Sequence, residues 1–170
     1  MKPLFLVGYM GCGKSTIGRK LARELQACFV DTDNRIEERE GATVFDIFHY
    51  EGEERFRTIE REVLEEVIAS HEVAVVSTGG GLPAWGDNME RMNAVGRTVY
   101  LKRSAENIAS RLSPYGRQKR PRLRGLNDEE LVLFMREDMA RREPCYGKAI
   151  QVIQCEGKSD EEIIREIVNF

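Results

Sequence analysis

The stretch from residue 8 to residue 15 constrains the fold of this chain more than any other. It reads Gly-Tyr-Met-Gly-Cys-Gly-Lys-Ser and matches the phosphate-loop pattern G-x-x-x-x-G-K-[ST] in full. The apolar segment Leu4–Val7 precedes it, and residues 15–25 follow with apolar side chains at helical spacing. A strand, a glycine-rich loop and a helix in this order predict a nucleotide-binding loop within an α/β fold.

The residue types of the loop indicate how it would hold phosphate. Gly11 and Gly13 let backbone N–H groups turn inward, and the N-terminus of the following helix adds partial positive charge. Lys14 is a cation for the β- and γ-phosphates, and Ser15 offers a hydroxyl to Mg²⁺. The chain lacks the N-K-x-D and D-x-x-G segments of switch GTPases. We therefore predict that it binds ATP and transfers a phosphoryl group to a small molecule.

Short apolar runs alternate with amphipathic segments, which predicts parallel strand–helix–strand units and a three-layer α/β fold. We expect a loop rich in Arg, Gly and Pro at residues 113–126. The predicted strands are Leu4–Val7 and residues 28–30, 73–76, 98–101 and 149–153. The predicted helices are residues 15–25, 43–69 in one or two pieces, 104–112, 127–142 and 159–170.

Acidic side chains and glycines follow the second and third predicted strands. Because the carboxyl ends of parallel strands meet at one edge of the sheet, Asp31, Asp33 and the Gly79-Gly80-Gly81 run should join the loop in one site. In an extended segment the two aspartates point the same way. One can then hold Mg²⁺ through water, and the other can accept a proton from a substrate hydroxyl. The alternatives are that one aspartate caps the next helix and that the glycines form a flexible turn.

Two charged segments have competing interpretations. Residues 53–60 predict a helix whose charged side chains face solvent, with ion pairs such as Arg57–Glu60. Residues 117–124 hold five basic side chains, which suit either a lid over ATP or a nucleic-acid patch. No aromatic residue interleaves this run, which favours the lid. Such a lid would exclude water and stabilise charge on the transferring phosphoryl group.

Composition narrows the class of protein. The chain has 170 residues with 26 basic and 29 acidic side chains, which suits one globular domain without the basic excess of nucleic-acid binders. No apolar run reaches the about 18 residues of a membrane span, and the first apolar segment is too short for a signal peptide. Four cysteines without a C-x-x-C pair, and two histidines, give little support for zinc. We expect a cytoplasmic chain with reduced thiols, whose acidic surplus lies on solvent-facing helices such as residues 37–40 and 60–66.

The motifs form an ordered set along the chain. They are the loop at residues 8–15, Asp31-Thr32-Asp33, Phe56-Arg57-x-x-Glu60, Gly79-Gly80-Gly81, Arg120-Pro121 and Arg142-x-Pro144-x-Tyr146. From residue 4 to the C-terminus the chain closely resembles bacterial shikimate kinases, and the whole set in this order is specific where the loop alone is not. The resemblance implies a P-loop fold of nucleoside-monophosphate-kinase type in a single domain, residues 1–170. It also implies a five-stranded parallel sheet and a mobile lid at about residues 113–126.

The resemblance also implies a reaction and its residues. The reaction would be ATP- and Mg²⁺-dependent phosphorylation of the shikimate 3-hydroxyl, on the pathway to chorismate and the aromatic amino acids, by a monomer. From the charge balance and the lack of a long apolar run we expect no nucleic-acid or membrane partner. Implied ATP contacts are Gly11, Cys12, Gly13, Lys14, Ser15, Thr16 and Arg120, and the implied catalytic residues are Lys14, Asp33 and Arg120. Implied shikimate contacts are Asp33, Arg57, Gly79, Gly80, Gly81 and Arg142. Implied metal contacts are Ser15 and, through water, Asp31.

One position departs from the family pattern. Shikimate kinases usually continue Arg-Pro with two leucines, whereas Arg122-Leu123 stands here. This leaves Arg120 assigned and bears on how the lid is anchored by apolar contacts. The competing functions are a related kinase for gluconate or a nucleotide, and a nucleotide-binding module without catalysis. The presence of Lys14, Asp33 and Arg57 together favours the shikimate reaction over both.

Overall fold

The strands form one parallel sheet, as the alternating pattern predicts. In the computed structural model, which describes residues 2–70 and 74–170, five strands lie in the order β2-β3-β1-β4-β5, and every pairing is parallel. Of the predicted third strand, residue 73 lies outside the described residues. The strands are β1 (Leu4–Val7), β2 (Cys28–Asp31), β3 (Ala74–Ser77), β4 (Arg97–Lys102) and β5 (Gln151–Gln154).

Nine α-helices flank the sheet within the described ranges. Two of them, α5 and α7, were not predicted from the sequence, and of α2 only the stretch at residues 37–40 was expected to be helical. No helix in the described ranges is long and apolar enough to cross a membrane. The helices are α1 (Lys14–Glu24), α2 (Thr32–Glu40), α3 (Val44–Glu51), α4 (Glu53–Ala69), α5 (Asn88–Val95), α6 (Ala105–Arg111), α7 (Pro114–Gln118), α8 (Asp128–Tyr146) and α9 (Asp160–Val168).

The core lies around the middle of the sheet. Strands β1 and β3 are buried along their full length, as expected for parallel strands covered by helices. Helix α1 buries Ile17 and Leu21 in this core, and full burial of such a side chain is worth about 1.5–3 kcal/mol. Because β1 lies between β3 and β4, the loop after β1 opens at the crevice where sheets of this kind bind ligands.

Helix α2 begins immediately after β2, and this changes the interpretation of the two aspartates. Asp31 caps the helix, since its Oδ1 accepts from the amides of Asp33 at 3.0 Å and Asn34 at 3.3 Å. The prediction that Asp31 and Asp33 point the same way from an extended segment is therefore wrong. Asp33 lies in the first turn of a helix, where residues two apart do not face each other.

The helical stretch predicted at residues 43–69 is two helices. Thr43 caps α3 through the amide of Asp46, and Gly52 separates α3 from α4 with a positive φ of 86°, a conformation that glycine adopts at little cost. Within α4, Glu60 is only 1% exposed. The expectation that residues 60–66 face solvent is therefore wrong for Glu60, which packs into the interior.

The segment at residues 113–126 is not the loop that was expected. Ser113 caps α7 through the amide of Gly116 at 3.0 Å, and Pro114 occupies a first-turn position that suits proline. A 3-10 turn follows over Pro121–Leu123. Leu123 is 1% exposed and Leu126 packs against the core while partly buried, so these leucines anchor the segment although Arg122 precedes Leu123.

Helix α8 continues beyond the end predicted for it. We expected it to stop at residue 142, because proline inside a helix costs about 3 kcal/mol, yet Pro144 lies within its last turn. The extra turn brings Tyr146 into the core, where its ring centre lies 5.1 Å from that of Tyr100. Its hydroxyl donates to the carbonyl oxygen of Gly80 at 2.5 Å. We attribute the continuation to these contacts, which offset the cost of the proline.

Candidate active site

The loop at residues 8–15 connects β1 to α1 and closes on itself through Lys14. The Lys14 Nζ donates to the carbonyl oxygens of Gly8 at 2.7 Å and Tyr9 at 3.0 Å, and the side chain is buried. Gly13 caps α1 with a positive φ of 101°, which other residues rarely adopt. The amides of the first turn of α1 have no intrahelical partner. Together with Lys14 they form an electropositive cradle for phosphate.

Two arginines that no motif marks support this loop. Arg103 is 6% exposed and donates through Nε to the carbonyl oxygen of Cys12 at 3.0 Å. The guanidinium of Arg111 lies beside Gly13, 3.4 Å from where a Cβ on that glycine would stand. Cys12 is itself buried, and its amide donates within the loop. Both arginines follow β4, so only the folded structure brings them to the loop.

A serine and an aspartate meet where Mg²⁺ was expected. The Ser15 Oγ donates to Asp31 Oδ2 at 2.8 Å and lies 3.3 Å from the Oγ of Ser77. In residues 2–70 and 74–170 there is no group of three or more His, Cys, Asp or Glu that could hold a metal ion. Oxygen donors of this kind fit Mg²⁺, which keeps waters and binds substrate phosphates in place of a full protein cage. Asp31 thus caps α2 with one oxygen and reaches Ser15 with the other.

Asp33 faces the cleft and approaches Gly79 closely. Its Oδ1 lies 2.8 Å from the position that a Cβ on Gly79 would occupy, so this contact requires glycine. Protein surrounds the carboxyl except on the cleft side. Burial raises the pKa of Asp33 to about 6, the charge of Asp31 acts in the same direction, and Lys14 and Arg57 oppose it. At neutral pH this carboxyl is ionised, yet it is basic enough to accept a proton.

Arg57 and Glu60 form an ion pair inside the protein. Arg57 Nη1 donates to Glu60 Oε1, and the two residues are 8% and 1% exposed. The guanidinium also lies 5.3 Å from the ring centre of Phe56 and 5.7 Å from that of Phe48. Burial raises the pKa of Glu60 to about 7, although Arg57 lowers it. The predicted Arg57–Glu60 pair therefore exists, but it faces the cleft and not solvent.

Arg142 is held by a second set of contacts, which sequence reasoning missed. Its Nη2 lies 3.5 Å from Asp138 Oδ2, and its guanidinium lies 5.4 Å from the ring centre of Tyr9. Asp138 is 4% exposed and accepts a hydrogen bond of 2.7 Å from the Tyr9 hydroxyl. Burial, reinforced by Asp138, raises the pKa of Tyr9. A residue of the phosphate loop and the carboxylate partner of Arg142 are thus joined directly.

The basic residues at 117–124 do not form one continuous face. Arg120 donates through Nη1 to the carbonyl oxygen of Gly116 at 2.6 Å, and burial lowers its pKa. Arg117 pairs with an aspartate at the start of α8, and Arg124 lies over a phenylalanine ring of α3. Three residues of the run line a cavity beside Asp33, namely Lys119, Arg120 and Arg122.

A cavity of about 520 Å³ is lined by seven of the fourteen predicted site residues. Lys14 and Ser15 do not line it but lie in the adjoining loop. The arrangement places a carboxyl group and several arginines next to a phosphate cradle, which suits phosphoryl transfer to a hydroxyl of an anionic small molecule. The predicted residues that line it are Asp33, Arg57, Gly79, Gly80, Gly81, Arg120 and Arg142.

Comparison with protein families identifies the shikimate kinases. A model of the shikimate kinase family matches residues 10–170. Shikimate kinase from Parabacteroides distasonis is 47% identical over 169 residues, which covers 99% of this chain and 96% of that protein. Shikimate kinase from Azobacteroides pseudotrichonymphae is 42% identical over 168 residues, covering 99% and 98%.

Solved structures agree with these sequence matches. The crystal structure of shikimate kinase from Bacteroides thetaiotaomicron superposes with a TM-score of 0.90 at 39% identity, covering 99% of this chain and 97% of the other. Shikimate kinase from Acinetobacter baumannii, in complex with shikimate, superposes with a TM-score of 0.87 at 34% identity, covering 99% and 92%. Deoxyadenosine kinase from M. mycoides, at 14% identity and a TM-score of 0.62, shares the fold alone.

Proposed function

The chain belongs to the shikimate kinase family, and from that premise we propose that it transfers the γ-phosphoryl group of ATP to the 3-hydroxyl of shikimate. It is a phosphotransferase with an alcohol as acceptor, and the products would be shikimate 3-phosphate and ADP. One observation carries the proposal: Asp33, Arg57 and Arg142 line a single cavity beside the phosphate loop. Shikimate is a small carboxylated polyol, so its hydroxyl groups suit Asp33 and its carboxylate suits the two arginines.

The nucleotide would lie on the loop between β1 and α1. We assign its phosphate contacts to the loop and first-turn amides and to the Lys14 ammonium, which would exchange the carbonyl oxygens it now contacts for phosphate oxygens. Arg120 would reach the phosphates from the lid and offset the charge that develops during transfer. The residues assigned to ATP are Gly11, Cys12, Gly13, Lys14, Ser15, Thr16 and Arg120.

We propose Mg²⁺ as the metal of this reaction, held by Ser15 directly and by Asp31 through water. The support is the pairing of Ser15 Oγ with Asp31 Oδ2 at 2.8 Å beside the phosphate cradle. When bound, Mg²⁺ would neutralise charge on the phosphate oxygens. Asp31 keeps its other oxygen on the amides at the start of α2, which fixes the position of its carboxyl group.

The acceptor would bind with its carboxylate at the arginines and its reacting hydroxyl at Asp33. Arg57 and Arg142 are each held by a buried carboxylate, Glu60 and Asp138 respectively, so both guanidinium groups are positioned before shikimate arrives. The backbone of Gly79, Gly80 and Gly81 would contact the ring from the sheet edge. Holding the acceptor at two ends fixes which hydroxyl faces the phosphate, and such positioning is a large part of phosphoryl-transfer catalysis.

Asp33 would act as the general base. Its carboxylate would accept the hydrogen of the 3-hydroxyl as the oxygen attacks the γ-phosphorus, and the bond from that phosphorus to the β–γ bridging oxygen would break to release ADP. Lys14 and Arg120 would stabilise the negative charge on the transferring group and on the leaving phosphate. The pKa of about 6 keeps Asp33 in its accepting form at neutral pH.

We propose further that the chain is one domain, residues 1–170, with a mobile lid at about residues 113–126, and that it acts as a cytoplasmic monomer on the pathway to chorismate and the aromatic amino acids. Shikimate and ATP would be its partners, without nucleic acid or membranes. The division of the basic run between the cavity and local contacts supports a lid more than a polynucleotide surface.

Acceptor-dependent ADP release tests the proposed function. Purified chain with Mg²⁺ and ATP is offered shikimate, gluconate or nucleoside monophosphates, and ADP is measured against a reaction without acceptor. Of the acceptors offered, we expect only shikimate to cause ADP release. The NMR coupling of the product should place the phosphorus on the 3-oxygen. Release with gluconate or a nucleotide in place of shikimate would assign the chain to a different acceptor. ATP binding without acceptor-dependent release would indicate a binding module.

A matched pair of variants on α4 tests the acceptor side. Arg57→Ala should raise the KM for shikimate by about tenfold or more, since a charge-assisted contact of about 1.5–3 kcal/mol is lost. Arg61→Ala, one turn further along the helix and paired with Asp87 outside the cavity, should leave it unchanged. An unchanged KM in Arg57→Ala would remove Arg57 from the acceptor site.

A further inference from the structure

Two cavities meet at a wall made almost entirely of arginine. The first is the cavity of about 520 Å³ that holds Asp33, and the second, of about 590 Å³, lies on the other side of Arg57 and Arg142. Only four residues line both, and besides Gly81 they are Arg57, Arg122 and Arg142. Arg122 is the member of this wall that comes from the lid.

The three arginines differ in whether a carboxylate of the protein already neutralises their positive charge. Arg57 is paired with buried Glu60, and Arg142 lies 3.5 Å from buried Asp138. Among residues 2–70 and 74–170, no carboxylate lies within ion-pairing distance of Arg122, whereas its lid neighbour Arg117 is paired at 2.7 Å. The two fixed arginines therefore come with their own counter-charges, and within this wall Arg122 is the arginine whose positive charge is left over for an incoming anion.

The anchoring of the lid does not require a leucine at position 122. Leu123 is 1% exposed and packs in the core, which leaves Arg122 exposed at the wall between the two cavities. Both residues belong to the 3-10 turn over Pro121–Leu123. Within this turn Leu123 is buried in the core, and Arg122 lies at the cavity wall. The departure from the family pattern is thus located where the acceptor's carboxylate would lie.

We propose that Arg122 is a specificity-determining residue that binds the carboxylate of the acceptor from the lid, as a third arginine beside Arg57 and Arg142. The inference rests on the proposed function and adds a ligand contact to it. An anionic acceptor in the cavity attracts Arg122, so binding of the carboxylate also favours the closed position of the lid. An acceptor without the negative charge gains nothing from this residue.

Binding and turnover are both measured, so that the two proposals can fail separately. Trp85 is the single tryptophan of the chain and lines the second cavity, so its emission reports acceptor binding without turnover. Shikimate and its uncharged methyl ester are titrated into the wild-type chain, Arg122→Leu, Arg122→Lys and the control Arg124→Leu. The control removes the same charge from the same segment, at a residue that does not line either cavity.

We expect Arg122→Leu to weaken shikimate binding and raise its KM by about tenfold, with the KM for ATP unchanged. Arg122→Lys should recover a large part of the affinity, Arg124→Leu should match the wild type, and the methyl ester should bind wild type and Arg122→Leu equally. Shikimate affinity that is unchanged in Arg122→Leu would overturn the inference. So would an equal loss for the acid and the ester, or a loss confined to ATP. Shikimate binding without ADP release would overturn the proposed function alone.

Discussion

Burial desolvates two carboxyl groups of the cleft, Asp33 and Glu60, and so raises their pKa values. Burial is the largest cause of both raised pKa values, about 6 and about 7, and in each case nearby cations oppose it. The two groups face different partners. Glu60 is bonded to Arg57 and is nearly inaccessible, whereas Asp33 keeps one side open to the cavity. Asp33 is therefore the carboxyl that a substrate hydroxyl can reach.

Replacement of Asp33 by asparagine should abolish the base and leave the nucleotide site intact. We expect kcat to fall by about 10²- to 10⁴-fold, while nucleotide affinity, measured by titration, stays at the wild-type value. The amide has nearly the same shape, so the fold is preserved. Equal losses in kcat and in nucleotide affinity would contradict the base role.

The dependence of rate on pH follows from the same residue. Because the base must be ionised, log(kcat/KM) for shikimate should rise with unit slope at acid pH and level off above about pH 6. The profile is measured at saturating ATP. The Glu60→Gln variant should keep this acid limb, since Glu60 is not the group that accepts the proton. Loss of the limb in that variant would assign it to Glu60 instead.

The sequence predicted whether a segment is a helix or a strand better than it predicted where each element begins and ends. Strand alternation and the loop motif predicted the sheet and α1, because both patterns are local. The start of helix α2 was not predicted, because Asp31 caps it directly after the strand. Helix α7 was missed because it is short and lacks apolar periodicity after its Ser-Pro start. Helix α8 continues beyond Pro144 because Tyr146 gains contacts with elements distant in sequence, and no local pattern predicts such contacts.

For the site, the sequence predicted residues that belong to motifs and missed the residues that support them. Motifs singled out Asp33, Arg57 and Arg142, which line one cavity in the structure. The residues Tyr9 and Asp138, which support Arg142, lie 129 positions apart and meet only in the fold. No spacing rule connects such a pair. The inward position of Glu60 was missed because charged residues on a helix usually face water.

The buried Glu60 of helix α4 should make the free energy of unfolding depend on pH. In the folded chain the pKa of Glu60 is raised from 4.5 to about 7, so the folded state holds a proton that the unfolded state releases. The resulting stabilisation is complete below about pH 4.5 and is lost as the pH rises through about 7. It amounts to a change on the order of 3 kcal/mol.

The difference in unfolding free energy between the wild type and Glu60→Gln isolates this effect. Asp33 titrates in both proteins, so the two share most of its contribution and the difference reports chiefly on Glu60 and its coupling to Asp33. Urea unfolding between pH 4.5 and pH 8 should show the wild type losing stability relative to the variant as the pH rises. A difference that stays constant over this range would show that Glu60 does not titrate as described.

On the scale of the whole molecule, the net charge of −3 is an average over sorted charges. Basic side chains of the body and the lid, including Arg57 and Arg142, line the cavity, and Lys14 lies in the adjoining phosphate loop. Acidic side chains lie mostly outside it, where Glu62 and Glu66, for example, pair with Arg39. The cleft is thus rich in basic side chains in a protein whose overall charge is negative, and the total composition could not reveal this.

Closure of the lid over both substrates should protect it from protease. Trypsin can cut after Arg117, Lys119, Arg122 and Arg124 in the open lid. With a non-hydrolysable ATP analogue, Mg²⁺ and shikimate, we expect cleavage in this segment to slow by about fivefold or more. Cleavage after Lys148, in the turn before β5, serves as the control for general stabilisation. Equal slowing at both places would argue against a lid that closes on its substrates.

The position of shikimate in the cavity is the most direct test of the site described here. A crystal structure with ADP, Mg²⁺ and shikimate should place the carboxylate on Arg57 and Arg142. It should also place the 3-hydroxyl about 3 Å from the Asp33 carboxylate, on the side facing the phosphate loop. Shikimate bound in the reverse orientation, or outside this cavity, would contradict the assignment of base and carboxylate site together.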